Sequence, residues 1–199
     1  YEKQKLNEDE LEQLILQVKE KKINGVNVTV PFKKVIIPFL DELSIEAEST
    51  QSVNTIYLKD DKVVGHNTDI IGFETSIEKS KFNVFNKEVL ILGAGGVVPS
   101  IIFALNKMKV SKIKISNRTK EKAENLKKLF KNIEIIEWGE VPNFDVIINA
   151  TSLGLKKNDS INLDFSLISK NSLFFDVIYN PKETNFLKTG KKRGNITLN

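Results

Sequence analysis

A glycine turn between a strand-like run and a helix-like run constrains the fold of this chain more than any other feature. Residues 88–92 are apolar enough to form a short buried strand, the sequence GAGG follows directly at 93–96, and residues 97–107 have a helical pattern. Glycines allow a tight turn and a close approach to the backbone, while the start of a helix supplies free N–H groups and a positive dipole end. The sequence therefore predicts a turn that can bind a pyrophosphate.

Strand-like and helix-like runs alternate after this turn. The further predicted elements are strands at 112–116, 133–137, 144–150 and 173–179, with a helix over 119–131. Such alternation produces βαβ units and a parallel sheet. We therefore predict an α/β chain whose nucleotide-binding domain covers residues 81–199.

The glycine turn departs from the full dinucleotide-binding pattern. That pattern has a third glycine where this chain has Val98. A tight strand–helix turn that binds no ligand is therefore the alternative at this stage. Pro99 agrees with a helix start, because an N–H in the first turn has no partner within the helix.

The end of the next predicted strand indicates which nicotinamide cofactor is bound. Ser116 is followed by Asn117, Arg118 and Thr119, where NAD-binding proteins usually have an acid that accepts from the ribose 2′-hydroxyl. Arg118, with Lys122 about one helical turn further on, suits the 2′-phosphate of NADP. In the alternative, Asn117 or Thr119 only caps the helix and Arg118 is solvated; capping and phosphate binding are compatible.

The first 80 residues have a different, mixed pattern. The predicted elements are an amphipathic helix over 7–22, a strand over 25–30, a helix or turn over 32–40, a hairpin of strands 54–58 and 62–66, and a helix over 67–81. We therefore predict a second, mixed α/β domain over residues 1–80.

Composition excludes several classes of site and partner. The 199 residues include no Cys and one His, which excludes disulfides, Cys-ligated zinc and His-rich metal sites. No apolar run approaches the roughly 20 residues that cross a bilayer. The net charge of +4 equals the four charges of a single run, Lys188, Lys191, Lys192 and Arg193. We therefore expect no metal, no membrane and no nucleic acid, which would need a broader basic face.

Lys33 and Asp69 are the candidates for proton transfer. Lys33 follows the predicted strand end in an otherwise apolar stretch, and Asp69 begins a helix after the hairpin. Hydride transfer to or from a secondary alcohol requires a proton to move at its oxygen, and this chain offers few other side chains for that task. In the alternative, Lys33 is a surface lysine and Asp69 a helix cap. The spacing alone does not decide between them.

Seven segments, in order along nearly the whole chain, resemble the shikimate/quinate dehydrogenase family. They are NVTVPFK at 27–33, VNT at 53–55, NTDIIG at 67–72, LGAGG at 92–96, NRT at 117–119, NATSLGL at 149–155 and DVIYNP at 176–181. The resemblance implies an N-terminal α/β substrate domain over 1–80 and a C-terminal Rossmann-like NADP-binding domain over 81–199. It also implies the reversible, NADPH-dependent reduction of 3-dehydroshikimate to shikimate in aromatic amino-acid biosynthesis.

The resemblance also assigns residues to roles. Lys33 matches the family's proton-transfer lysine, and Asp69 matches the acid that binds a substrate hydroxyl and pairs with that lysine. The other substrate contacts it implies are Thr29, Asn54 and Tyr179. The cofactor contacts it implies are Gly93, Ala94, Gly95, Gly96, Val97, Asn117, Arg118, Thr119, Lys122, Asn149, Ala150, Thr151, Ser152 and Val177.

Two family features have no counterpart in the chain. The family begins with a strand and a Ser-x-Ser pair that binds the substrate carboxylate, and it ends with a helix that carries a substrate-binding Gln. We therefore expect the chain to be part of a longer protein with an incomplete N-terminal domain. His66, just before the NTD segment, matches no family role, and we expect a solvated hairpin histidine.

Two other functions stay open. One is an NAD-dependent quinate/shikimate dehydrogenase, against which Arg118 and Lys122 argue. The other is a nucleotide-binding module without turnover, against which Lys33 and Asp69 argue, because a sensor needs no proton transfer. We expect a cytoplasmic enzyme that acts on a small molecule, and a homodimer stays open.

Overall fold

The computed structural model describes residues 1–156 and 159–199. These residues form two compact units, Tyr1–Ile71 and Gly72–Asn199. The division falls inside a helix that begins at Asp69. The assignment of residues 1–80 to the substrate and of residues 81–199 to the cofactor stays a prediction.

The first unit contains a four-stranded sheet with short helices. Its elements are α1 (Leu11–Lys19), β1 (Gly25–Asn27), α2 (Phe32–Val35), β2 (Glu42–Leu43), α3 (Ile45–Thr50), β3 (Thr55–Lys59), β4 (Lys62–His66) and the start of α4 (Asp69–Ser80). The strand order is β1-β3-β4-β2, in which only β2 pairs in parallel with its neighbour. The apolar face of α1 is buried with the sheet in one core.

The hairpin and the first helix follow from local sequence. β3 and β4 are joined by Asp60 and Asp61, which have φ angles of 50° and 59°. Two positive φ angles in a two-residue loop match the twist of the strands, and Asp tolerates this conformation. The helix predicted over 7–22 is shorter, because one 3-10 turn precedes Leu11 and Lys21 leaves the helical region with a φ of 62°.

The sequence prediction missed other parts of this unit. The strand predicted over 25–30 ends at Asn27, and the region predicted over 32–40 divides into α2 and a 3-10 turn at Ile37–Phe39. Neither β2 nor α3 was predicted. α3 begins at the N-cap Ser44, whose Oγ accepts from the Ala47 N–H at 3.2 Å. Ser44 followed by the acidic first turn of α3 was a usable helix-start signal.

The second unit contains a six-stranded parallel sheet. Its elements are β5 (Glu88–Leu92), α5 (Val98–Lys107), β6 (Lys112–Ser116), α6 (Lys120–Leu129), β7 (Ile133–Ile136), β8 (Val146–Asn149), β9 (Leu173–Asp176), α7 (Asn185–Lys192) and β10 (Ile196–Leu198). The strand order is β10-β9-β8-β5-β6-β7, and every pairing is parallel. The predicted α/β class and parallel sheet are confirmed.

The order in which strands are added to this sheet reverses at β5, at the centre of the sheet. From β5 the chain builds outward through β6 and β7, then returns to place β8 on the other side of β5. Open α/β sheets bind ligands at such a switch point, beyond the carboxyl ends of the strands. The turn that follows β5 carries the predicted pyrophosphate site, so topology and motif agree on its position.

α7 and β10 were not predicted from the sequence. Thr184 caps α7 by accepting from the Leu187 N–H at 3.3 Å. Phe186 packs beside Phe174 of β9, with ring centroids 5.0 Å apart. A Cβ at Gly190 would lie 2.7 Å from the Phe174 ring, so the helix needs glycine there to lie this close to the strand. Within the described part of the chain, no helix is long and apolar enough to cross a membrane.

Candidate active site

Two polar side chains from separate segments of the first unit meet the carboxylate of Asp69. Lys33 on α2 donates from Nζ to Asp69 Oδ2 at 2.6 Å, and Asn54 donates from Nδ2 to Asp69 Oδ1 at 2.8 Å. The side chains of Lys33 and Asp69 are 16% and 23% exposed. The ion pair is thus shielded over most of its surface, while solvent or a small molecule can still reach it.

The orientation of the Asn54 amide is set by hydroxyl and backbone donors. Its oxygen accepts from the Thr68 N–H at 2.9 Å, from Thr68 Oγ1 at 3.1 Å and from Thr55 Oγ1 at 3.0 Å. With three donors at the oxygen, the NH₂ group must be the end that faces Asp69. Thr55 and Thr68 were not predicted as site residues.

A second asparagine positions Asp69 at the start of α4. Asn67 is 1% exposed, and its Oδ1 accepts from the Asp69 N–H at 3.0 Å. Its Nδ2 donates to Thr50 Oγ1 at 3.1 Å and to the Ser52 carbonyl at 2.9 Å. The Asn-Thr-Asp segment therefore combines an Asx turn that starts the helix with an acid that faces Lys33.

Backbone hydrogen bonds join the segments that carry these side chains. The Val53 N–H donates to the Lys33 carbonyl at 2.8 Å, and the Val28 N–H donates to the Asn54 carbonyl at 2.8 Å. Thr29, the fourth predicted contact in this unit, is exposed in the loop after β1. The first unit therefore brings Lys33, Asn54 and Asp69 into direct contact and leaves Thr29 at the surface.

His66 has a structural partner instead of the solvated position that we expected. Its Nδ1 lies 2.8 Å from Ser44 Oγ, the cap of α3, and 3.8 Å from Glu46 Oε2. Its side chain is 31% exposed. The ring ties β4 to the start of α3, while the backbone carbonyl of His66 accepts from the Asn54 N–H at 3.0 Å.

The glycine turn of the second unit has the geometry of an anion site. Gly93 has a φ of 107°, and a Cβ there would lie 2.8 Å from the Ala150 oxygen. Both the backbone conformation and the close approach therefore require glycine. Gly95 and Gly96 are exposed where the turn leads into the ten-residue helix α5. The helix start offers N–H groups and a positive dipole end to a phosphate.

The remaining residues of the turn complete its packing. Ala94 and Val97 are half-buried, and Val97 is the N-cap residue of α5. Val98, which stands in place of the third glycine, is fully buried, and its N–H donates to the Gly95 carbonyl at 3.0 Å. Since Val98 points into the core, its side chain does not crowd the exposed part of the turn.

The end of β6 presents basic side chains to solvent. Arg118 and Lys122 are exposed, and neither forms an ion pair with an acid in residues 1–156 or 159–199. Asn117 Nδ2 donates to the Thr119 carbonyl at 2.7 Å, and Thr119 is the N-cap of α6 without a side-chain capping bond. The start of α6 at Thr119 therefore leaves the charges of Arg118 and Lys122 available, and capping and phosphate binding are compatible, as the sequence indicated.

A buried hydrogen bond between Asn149 and Asp176 joins the ends of β8 and β9. Asn149 is fully buried, and its Nδ2 donates to Asp176 Oδ1 at 3.0 Å and to the Leu153 carbonyl at 3.1 Å. Its Oδ1 accepts from the Thr151 N–H at 3.0 Å and from Thr151 Oγ1 at 2.7 Å. The amide of Asn149 is therefore directed into the protein and supports the loop that follows it.

The other predicted residues near these strand ends lie closer to the surface. Ala150 is 7% exposed, Thr151 and Val177 are half-buried, and Ser152 is exposed. Tyr179 is 80% exposed and belongs to the second unit, whereas the other predicted substrate contacts belong to the first. Among the described residues, no cluster of His, Asp and Glu could hold a metal ion.

Family models match both parts of the chain. The model described as "Shikimate dehydrogenase substrate binding domain" matches residues 1–56. The model described as "Shikimate / quinate 5-dehydrogenase" matches residues 76–183.

Individual proteins agree with the family models. A protein of Pelagibacter ubique (strain HTCC1062) named shikimate dehydrogenase (NADP(+)) is 62% identical over 199 residues, which cover 100% of this chain and 75% of that protein. The crystal structure of shikimate dehydrogenase from Aquifex aeolicus has a TM-score of 0.84 and 39% identity, covering 96% of this chain and 71% of that one. The enzyme from Thermus thermophilus, in complex with NADP(H) and shikimate, has a TM-score of 0.86 and 27% identity, covering 96% and 72%. With one family model over more than half of its residues and a relative 62% identical along its whole length, this chain belongs to the shikimate dehydrogenase family.

Proposed function

We propose that this protein catalyses the reversible, NADPH-dependent reduction of 3-dehydroshikimate to shikimate, a step of chorismate and aromatic amino-acid biosynthesis. The observation that carries the proposal is the Lys33–Asp69 ion pair with its Asn54 support, in a chain that also has a glycine turn and exposed basic residues at a strand end. A protein that only binds a nucleotide has no use for this proton-transfer pair.

In the reduction, Lys33 Nζ gives a proton to the ketone oxygen as that oxygen becomes a hydroxyl. In the oxidation the same nitrogen takes the proton back. The cofactor, when bound, would supply or accept the hydride, so that the ketone plus one hydride and one proton gives the alcohol. Asp69 holds Lys33 at 2.6 Å and also binds a substrate hydroxyl. Asn54 keeps one carboxylate oxygen occupied at 2.8 Å and thereby limits the rotation of the group.

The residues of the second unit fit NADP better than NAD. The exposed turn at Gly95 and Gly96, at the start of α5, suits the pyrophosphate. The end of β6 has no acid to accept from a ribose hydroxyl, and it presents Arg118 and Lys122, whose charges complement a 2′-phosphate. We propose that Asn117, Thr119 and residues 149–152 contribute the remaining contacts to the cofactor.

We also propose the cytoplasm as the compartment, since the proposed reaction needs a supply of NADPH and of a small polar substrate. A homodimer is the assembly we propose to test first, by light scattering of the purified enzyme. A monomer mass would reject it.

The test of the proposed function is a two-by-two assay of the purified full-length enzyme. Shikimate and quinate are each supplied with NADP⁺ and with NAD⁺, and formation of the reduced cofactor is followed by absorbance. We expect shikimate with NADP⁺ to give the largest kcat/KM. Faster turnover with NAD⁺ would contradict the cofactor assignment, preference for quinate would contradict the substrate, and cofactor binding without turnover would leave only a binding module.

A further inference from the structure

The carboxylate of Asp176 is buried at the end of β9 and takes no part in the proposed proton transfer. The residue is 1% exposed. Oδ1 accepts from Asn149 Nδ2 at 3.0 Å and from the Ile178 N–H at 3.0 Å, and Oδ2 accepts from Thr184 Oγ1 at 2.6 Å. Burial raises the pKa of Asp176, while the hydrogen bonds from Thr184, Ile178 and Asn149 act in the opposite direction.

Each of the three donors belongs to a different segment of the unit. Asn149 ends β8 and holds Thr151 through both the N–H and the hydroxyl of that residue. Ile178 lies in the turn that follows β9. Thr184 is the N-cap of α7 and accepts from the Leu187 N–H at 3.3 Å through the same oxygen that donates to Asp176. One carboxylate therefore connects two strand ends and one helix start.

Two of the three connected segments, the loop after β8 and the turn after β9, are those that the family resemblance assigns to the ligands. Thr151 and Ser152 follow Asn149, while Val177 and Tyr179 flank Ile178. Ser152 and Tyr179 are exposed, whereas Asn149, Asp176 and Ile178 are buried. The carboxylate thus lies behind the ligand-facing groups and contacts them only through other residues.

A purely stabilising role gives no reason for a carboxylate in this place. Removing an acid from water costs free energy that hydrogen bonds only partly offset, and apolar replacements of buried ionic groups are often neutral or stabilising. A buried charge with three donors does restrict the directions of the groups around it. Geometric precision, more than stability, is what this network can provide.

Resting on the proposed function, we propose that Asp176 is a positioning residue for cofactor binding and hydride transfer. Its carboxylate holds the loop after β8, the turn after β9 and the start of α7 in one fixed arrangement. This arrangement places Thr151, Ser152, Val177 and Tyr179 for their ligands. The side-chain amide of Asn149 acts in the same way, as an internal support.

The test uses the full-length enzyme with three variants. Asp176→Asn keeps the shape of the side chain and removes its charge and one acceptor oxygen. Thr184→Val removes the hydroxyl, and Thr184→Ser retains it. We expect Asp176→Asn and Thr184→Val to weaken NADP⁺ binding and to lower kcat by roughly 10- to 100-fold, the scale of a displacement of about 1 Å in an active site. Thr184→Ser should remain near wild type.

A matched control separates positioning from stability. Ile133→Ala changes a buried residue of β7, which lies on the other side of β5 from β8 and β9, and destabilises the same unit without a contact to the network. At a temperature where all variants are folded by circular dichroism, Ile133→Ala should keep the wild-type NADP⁺ affinity and kcat. Wild-type affinity and kcat in Asp176→Asn would overturn the proposal, as would losses no larger than those of Ile133→Ala at equal thermal stability.

Measuring NADP⁺ binding separately from turnover distinguishes a failure of this proposal from a failure of the proposed function. NADP⁺ affinity is measured by fluorescence titration and needs no turnover. If the wild-type enzyme fails to oxidise shikimate, the proposed function fails, and the affinities of Asp176→Asn and Thr184→Val still decide whether the network positions the cofactor loops.

Discussion

Replacement of Lys33 by alanine removes the proposed proton donor and leaves its partner largely supported. Asp69 keeps its hydrogen bond from Asn54 at 2.8 Å, and its side chain is 23% exposed, so water can solvate the freed oxygen. Breaking an exposed ion pair costs about 0–1 kcal/mol of folding free energy, and breaking a fully buried one costs about 3–5 kcal/mol. The Lys33–Asp69 pair lies between these cases, so we expect this variant to lose roughly 1–2 kcal/mol of stability. The fold should therefore persist.

The catalytic loss should be much larger than the loss of stability. One general acid–base group contributes about 10²–10⁴-fold to rate, equivalent to roughly 3–5 kcal/mol of transition-state stabilisation. The predicted cofactor residues belong to the other unit, so NADP⁺ affinity should stay within about 2-fold. The assay is steady-state oxidation of shikimate by the full-length enzyme, with cofactor affinity measured separately by titration.

The chain supplies its own control for this experiment. Lys34 is the next residue on α2 and is exposed, and the lysine that pairs with Asp69 is Lys33 and not Lys34. Lys34→Ala removes the same charge from the same helix and should retain wild-type turnover. A small primary amine added to Lys33→Ala should restore part of the rate, because it can occupy the vacated space and carry the proton. Near-wild-type turnover in Lys33→Ala, or an equal loss in Lys34→Ala, would refute the role of Lys33.

Three further predictions concern the second unit. Arg118→Ala should weaken NADP⁺ by roughly 10–150-fold, the worth of one charge-assisted hydrogen bond, and leave NAD⁺ affinity unchanged; equal weakening of both in fluorescence titrations would mean that Arg118 supports structure instead. Gly93→Ala should lower the Tm far more than Gly95→Ala, because its φ is 107° and the added Cβ would lie 2.8 Å from the Ala150 oxygen, against 3.6 Å for Gly95; equal Tm values in calorimetry would contradict the strain argument. Because burial raises the native-state pKa of Asp176, the folded protein binds that proton more tightly than the unfolded chain. The stability that this group contributes is therefore fully present below the unfolded pKa and is lost as pH rises through the native one. The free energy of unfolding, measured with urea from about pH 4 to pH 7, should therefore increase in Asp176→Asn relative to wild type as the pH rises. A difference between the two proteins that does not vary with pH would exclude the raised pKa.

Local sequence determined the elements whose causes are local. The turn of Asp60 and Asp61 forms the expected hairpin because these residues accept a positive φ between two β-rich runs. The glycine turn after β5 was predicted for the same kind of reason, since few residues other than glycine adopt the φ of Gly93. The alternation of strand-like and helix-like runs indicated a parallel sheet, because βαβ units place their strands in parallel.

Elements that depend on distant partners were not predicted. α7 reads as a basic run in the sequence, and its Phe186 and Leu187 become core residues only against Phe174 of β9. β10 exists because β9 offers an edge for pairing. The exact ends of strands also depend on pairing, so the predicted strand at 173–179 stops at Asp176, where the chain turns to place Ile178 against the carboxylate.

The candidate site also has a part that the sequence predicted and a part that only the tertiary structure revealed. Residue types were enough to select Lys33 and Asp69 as candidates, and the family resemblance added Asn54 and supplied the roles of all three. Spacing alone could not distinguish a surface lysine from a catalytic one, because 36 residues separate Lys33 from Asp69. Only the packing of α2 against the loop before β3 brings Nζ within 2.6 Å of the carboxylate. The direction of a side chain is likewise a tertiary property, and so the inward-facing amide of Asn149 and the buried charge of Asp176 emerged only when two strand ends were placed side by side.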